Sequence, residues 1–163
     1  MPDFPMEFLT RLQDSALAQW VGGAETLLAY PTILTLHTVG LAIVVGTCLV
    51  IDLRVLGVAR QAPLAALRRA PLLIWTAFLV NAVTGVLLFL PSAEQKAFQT
   101  IFYVKLACIA VALFAYARIR TLVFRDDATL AAPISREARA FAVVSLIFWT
   151  GATVAGRLMA YIL

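Results

Sequence analysis

The stretch "AYPTILTLHTVGLAIVVGTCLVIDLR", residues 29–54, decides the fold of this chain. Apolar and small residues fill most of it, and it is longer than the roughly 20 residues that a helix needs to cross a bilayer. It also contains His37, the only histidine of the chain. Because an ionisable side chain inside a membrane span is costly and usually functional, this stretch predicts a spanning helix that carries part of a site.

The composition of the whole chain indicates an integral membrane protein. Of 163 residues, 63% are hydrophobic and 13% are charged, whereas soluble domains contain about 45–50% apolar and about 25% charged residues. The length suits a single domain over 1–163, and no loop is long enough to hold a separate catalytic domain. We therefore expect no independent catalytic activity.

Four segments reach membrane length, and the predicted spans cover residues 27–51, 71–90, 101–117 and 140–161. Ser135 is predicted to cap the fourth span, with Glu137 in its first turn.

Residues 4–20 precede the first span and place apolar and polar residues at roughly helical spacing, which predicts an amphipathic helix at the membrane surface. The predicted fold is therefore all-α: a polytopic membrane four-helix bundle preceded by an amphipathic interfacial N-terminal helix.

Arginine is distributed unevenly between the loops. The loops after the first and third spans contain Arg54, Arg60, Arg68, Arg69, Arg118, Arg120, Arg125, Arg136 and Arg139. The opposite side has Arg11 and Lys96. Because basic loops stay in the cytoplasm, we expect a bacterial inner-membrane protein with both termini in the periplasm. The formal net charge of +4 follows from this topology, and we expect no nucleic-acid partner.

Each predicted span contributes a polar side chain to the same outward half of the bundle. At about 1.5 Å of rise per residue, His37 and Asn81 lie near the middle of the membrane and the others lie further out. Gly40, one helical turn from His37, is predicted to leave space for a close helix or a flat ligand. The candidate site residues are His37, Gly40, Asn81, Thr84, Lys105, Thr153 and Arg157.

These residues also have interpretations that need no ligand. His37 can be a neutral imidazole bonded to a neighbouring span, and Lys105 and Arg157 can extend to lipid headgroups. Asp52 and Arg54 are interpreted as a capped helix end with local charge pairing. Trp149 and the other aromatic residues are interpreted as packing or interface anchors.

Three stretches carry a family resemblance: "LHTVGLAIVVGTCLVIDLRVLG" (36–57), "TGVLLFLPSAEQKAFQTIFYVKL" (84–106) and "AGRLMAYIL" (155–163). With them the chain resembles a family of small, uncharacterised four-span proteins of the bacterial inner membrane. The resemblance implies the fold and gives no reaction. It places three residues on positions characteristic of the family: His37, Lys105 and Arg157. The histidine followed by glycines is also similar, more weakly, to membrane copper-resistance proteins, but this chain lacks the further His and Met ligands that a copper site needs.

The sharpest hypothesis is a haem b site, or one for a similar redox cofactor, in an accessory subunit of electron transfer. His37 would be the axial metal ligand, and Lys105 and Arg157 would pair with the propionates. The chain has no second histidine, so the other axial position would be open, completed across a dimer, or taken by Met159.

Two further hypotheses need no metal. The first is a binding or transport module for a small anion, a quinone or a lipid headgroup, held by two cations and a histidine. The second is a structural or assembly subunit. Small residues of the fourth span, Gly151 with Ala155 and Ala152 with Gly156, suit helix packing within the bundle or between protomers, and in this hypothesis they would dock against a second copy or other membrane subunits.

Overall fold

Four helices are long and apolar enough to cross a membrane in the computed structural model, which describes residues 3–23, 26–159 and 161. The helices are α1 (Asp3–Gln13), α2 (Ala16–Gly23), α3 (Tyr30–Leu56), α4 (Leu64–Leu67), α5 (Ala70–Phe89), α6 (Ala93–Ala97), α7 (Thr100–Val123), α8 (Asp127–Ala131) and α9 (Arg136–Leu158). A 3₁₀ turn, Leu90–Ser92, joins α5 to α6. The described ranges contain no strand. The prediction of an all-α, multi-pass membrane bundle is therefore confirmed.

The ends of the spans follow from local capping. Ser135 caps α9 as predicted, because its Oγ accepts a hydrogen bond from the Ala138 N–H at 3.1 Å. Helix α3 runs past its predicted end at residue 51 and stops at Gly57, where φ is +87° and the N–H reaches the Arg54 carbonyl at 3.2 Å. Glycine adopts this left-handed conformation without a steric penalty. The extension places Asp52 inside the helix.

The four spanning helices form a bundle in which α3 packs on α5 and on α9, and α9 packs on α7. Helices α5 and α7 form the remaining side and are farther apart. The aromatic rings of Phe89 in α5 and Phe102 in α7 stack with their centroids 5.3 Å apart. Away from that contact, a cavity separates the two helices. The starts of α3 and α7 lie at one end of the bundle, here called the terminal end, and the basic loops lie at the other, the arginine-rich end.

The small residues of α9 pack against another helix of the same chain. Ala152 and Ala155 are buried. A Cβ atom at Gly151 would lie 3.3 Å from Cys108 Sγ of α7, and one at Gly156 would lie 3.6 Å from Lys105 Cε. These residues let α7 approach α9, so the predicted docking face of the fourth span is occupied by the chain's own helix.

The N-terminal segment forms two helices instead of the predicted single helix over 4–20. The break lies at Asp14 and Ser15, and Ser15 Oγ accepts from the Ala18 N–H at 3.3 Å to start α2. Ala18 and Val21 are buried because α2 packs against the connection between α5 and α6. The pair therefore covers part of the terminal end of the bundle.

The packing of α2 on this connection is testable through two neighbouring glycines. A Cβ atom at Gly22 would lie 2.8 Å from Pro91 Cβ, whereas one at Gly23 meets nothing within 4 Å. We expect Gly22→Ala to lower the thermal unfolding temperature in detergent, since overpacking costs about 1–3 kcal/mol. Gly23→Ala, the matched control, gains helix propensity of at most about 1 kcal/mol. Equal unfolding temperatures for the two variants would contradict the contact.

Candidate ligand site around His37

His37 is fixed by two groups of α5. Its Nδ1 lies 3.0 Å from the Asn81 backbone oxygen and 3.1 Å from Thr84 Oγ1. A carbonyl oxygen only accepts, so Nδ1 carries the proton and donates to it. Thr84 donates its own hydroxyl proton to the Val80 carbonyl at 2.7 Å and can therefore also accept from Nδ1–H. In the neutral ring this tautomer leaves a lone pair on Nε2, and no described residue hydrogen-bonds to that atom.

Two glycines set the distance between α3 and α5. A Cβ atom at Gly40 would lie 3.3 Å from the Ala77 carbonyl oxygen, so Gly40 lets the backbone of α5 approach. A Cβ atom at Gly85 would lie 3.1 Å from His37 Cε1, so Gly85 makes room for the imidazole. Of the two uses predicted for the space at Gly40, the structure shows the close helix. Gly85 was not among the site residues predicted from the sequence.

His37 and Lys105 together border three adjoining cavities. The first, about 310 Å³, lies among all four spanning helices. The second, about 300 Å³, lies between α5 and α7, and the third, about 250 Å³, lies at the terminal end beside Met159. Ligand sites typically occupy about 300–1,000 Å³. The three cavities together therefore offer enough space for a ligand with a ring and a chain.

The charge around these cavities is positive. Within the described part of the chain, the side chains of Lys105 and Arg157 have no hydrogen bond or ion pair, and Arg157 lies over the ring of Tyr161, 5.7 Å from its centroid. Lys96, at the terminal end, donates to the Leu88 carbonyl at 2.6 Å. No aspartate or glutamate is among the described residues that border the three cavities. The site can therefore stabilise a ligand that carries oxygen acceptors.

The structure brings most of the predicted site residues together. The first cavity is bordered by His37, Asn81, Lys105, Thr153 and Arg157. Thr84 lies behind the imidazole as its hydrogen-bond partner. Gly40 is buried against α5. Trp149, predicted as packing or an anchor, is buried and also borders the first cavity.

One functional candidate was misinterpreted from sequence. Asp52 is only 1% exposed, and the Nε of Arg54 donates to the Ala62 carbonyl at 2.7 Å. The prediction of a charge-paired helix end is wrong, because α3 continues to Gly57 and turns Asp52 into the bundle. The spacing of Val44, Cys48 and Asp52 at successive turns of one helix face would have indicated this burial.

No family model, curated protein or solved structure matches this chain. The resemblance to four-span bacterial proteins therefore stays a prediction. The metal assignment of His37 also stays a prediction: the described residues contain no group of three or more His, Cys, Asp or Glu side chains that could hold a metal ion. A metal at His37 would need most of its ligands from a cofactor such as a porphyrin.

Proposed function

We propose that this membrane protein binds a lipid-soluble quinone and the corresponding quinol in the cavities around His37. The observation that carries the proposal is the pairing, at one intramembrane cavity, of an imidazole lone pair and an ammonium group that have no partner among the described residues. His37 Nε2 supplies the first and Lys105 Nζ the second. Positive-inside orientation, with the arginine-rich end in the cytoplasm, would put this site in the periplasmic half of a bacterial inner membrane.

The free polar atoms of the site match both redox forms of such a ligand. A quinone has two carbonyl oxygens that accept hydrogen bonds, and the cations Lys105 and Arg157 can donate to them. A quinol has two hydroxyl groups that donate, and His37 Nε2 can accept from one of them. Asn81 Oδ1 is buried and has no partner among the described residues, so it can accept from the other.

The separation of α5 and α7 supports a ligand that arrives from the lipid. The cavity between these helices has mainly apolar walls: Phe78, Val86, Phe102, Leu106 and Ile109. Because α5 and α7 form one outer side of the bundle, this cavity opens towards the surrounding bilayer. An isoprenoid tail suits such walls, whereas a water-soluble anion would gain nothing from them.

A titration with a decyl-substituted benzoquinone, on protein purified in detergent, tests the proposal. We expect wild-type protein to bind the quinone and Lys105→Met to bind it about 10- to 100-fold more weakly, as for the loss of one hydrogen bond from a charged group. Arg118→Met is the matched control, because it removes a cation from the arginine-rich end of the same helix. Its exposed ion pair with Glu137 contributes little to the stability of the folded protein. Absence of binding to the wild type, or equal affinity in Lys105→Met, would overturn the proposal.

A haem b site is the second candidate, and one observation favours it. In metal-bound histidines the second ring nitrogen usually donates to a carbonyl or carboxylate, which orients the ring, and His37 Nδ1 donates to the Asn81 carbonyl in this way. Lys105 and Arg157 would pair with the propionates, and Met159 borders a cavity together with His37. A porphyrin, with its four pyrrole rings, would have to fill all three cavities, so a single-ring quinone fits with less rearrangement.

A further inference from the structure

A second group of buried polar side chains lies on the arginine-rich side of the His37 site. Four side-chain atoms there are buried without a hydrogen-bond partner among the described residues: Asp52 Oδ2, Tyr116 Oη, Ser145 Oγ and Trp149 Nε1. Asp52 is 1% exposed and Ser145 is fully buried. A carboxylate in a membrane interior is costly unless a cation or a proton neutralises it. The group therefore needs a function or a bound partner.

No cation neutralises Asp52 from any helix packed around it. The ion pairs of the described chain lie elsewhere, and Arg54 turns away to a loop carbonyl. On its own helix the neighbouring titratable group is the buried thiol of Cys48. Helix α7 contributes Tyr116, with Arg120 one turn further on, α9 contributes only the neutral Ser145 and Trp149, and α5 contains no titratable residue.

The carboxyl group is reachable although it is buried. A cavity of about 270 Å³ between α3 and α9 is bordered by Asp52, by Thr150 and Thr153 of α9, and by apolar side chains that include Leu49 and Val154. Trp149 and Thr153 border both this cavity and the first cavity at His37. A small molecule that enters this cavity therefore comes next to Asp52 without unfolding of the bundle.

We infer that Asp52 is a reversible proton-binding site, with Ser145 as the neighbouring hydroxyl. One proton from the aqueous phase adds to one carboxylate oxygen, which gives a neutral acid whose O–H donates to a neighbouring oxygen. On release, the Ser145 hydroxyl donates to the carboxylate instead. A metal cation is a poorer occupant, since hard cations such as calcium take about 6–8 oxygen ligands, whereas the polar atoms here include few oxygens. The inference does not depend on the quinone proposal.

Dicyclohexylcarbodiimide, an apolar reagent for protonated carboxyl groups, tests the inference on purified protein. The acid proton moves to a carbodiimide nitrogen and the carboxylate oxygen adds to the central carbon. The adduct then rearranges to a stable N-acylurea, which keeps all atoms of the reagent. Peptide mass spectrometry should find it on Asp52, and the yield should fall about tenfold per pH unit once the acid ionises. Ser145→Ala should shift the pH midpoint of labelling, whereas Thr150→Ala, a hydroxyl loss beside the same cavity, should not.

Infrared spectroscopy provides the second measurement, which does not depend on access of the reagent. The wild type should show a carboxylic-acid C=O band that disappears in Asp52→Asn, a variant of the same shape. Absence of both the adduct and the band at every pH would overturn the inference, as would labelling that does not change with pH. Protection from labelling by sodium chloride, but not by potassium chloride at equal ionic strength, would show a metal-cation site and would also overturn it.

Discussion

Gly85→Leu is expected to weaken quinone binding strongly while leaving the four spanning helices intact. A Cβ atom at this position would lie 3.1 Å from His37 Cε1 and 3.6 Å from Nδ1, so the larger side chain displaces the imidazole and enters the gap between α5 and α7. The Asn81 and Thr84 bonds are lost together with the space for the ring of the ligand. We expect the dissociation constant for decyl-benzoquinone to rise by about 10- to 100-fold, because overpacking of the space that the ring needs costs about 1–3 kcal/mol.

Gly46→Leu provides the matched control for this change. Gly46 lies on α3, and a Cβ atom there meets nothing within 4 Å. The control should keep wild-type affinity and a similar unfolding temperature. If Gly85→Leu binds as tightly as the wild type, the assignment of the cavities is wrong. If both variants lose binding to the same extent, the effect belongs to the bundle as a whole and the specific role of Gly85 is refuted.

His37→Leu is expected to separate the two redox forms of the ligand. Loss of Nε2 removes an acceptor for a quinol hydroxyl, so quinol affinity should fall about 10- to 100-fold, while the quinone, held mainly by Lys105, should lose less. Lys105→Met should show the opposite ranking. Thr35→Val, on the exposed side of the same helix, should change neither affinity. Equal losses for quinone and quinol in both variants would contradict the roles assigned to the two side chains.

His37→Leu also distinguishes a haem site from a quinone site. Purified wild-type protein with axial haem would have a Soret band that shifts on dithionite reduction and is absent from His37→Leu. A colourless wild-type protein without iron would eliminate haem and leave the quinone proposal standing. A Soret band together with no quinone binding would reverse the ranking of the two candidates.

The spanning helices could be predicted because composition and length determine them. The ends of the second span were predicted within one residue, and Ser135 marked the start of the fourth, whereas the third span continues to Val123, six residues past its predicted end at 117. The end of α3 was placed at its charged residues, although a helix ends where its last carbonyls find partners, and Gly57 supplies them. The N-terminal segment was predicted as one helix because helical spacing continues across Ser15, whose hydroxyl starts a new helix.

The residues of the candidate site could be predicted from the sequence, but their arrangement in space could not. Depth along each span places His37, Asn81, Lys105 and Arg157 in the same outward half of the bundle, and this requires only the rise of a helix. The roles of Gly40 and Gly85 depend on which helices are neighbours, and one sequence does not contain that information. The burial of Asp52 was not predicted, because an ion pair with the nearby Arg54 at the helix end was taken to account for its charge.

The opening between α5 and α7 determines which ligand concentration sets the occupancy of the site. A ligand that reaches His37 from the bilayer partitions into lipid first, so its mole fraction among lipid molecules, rather than its aqueous concentration, sets the fraction of sites filled. In a bilayer, lipid acyl chains would compete with the ligand for the same opening. Diluting the protein with extra lipid at a constant total amount of ligand would therefore empty the site, even though every contact at His37 is unchanged.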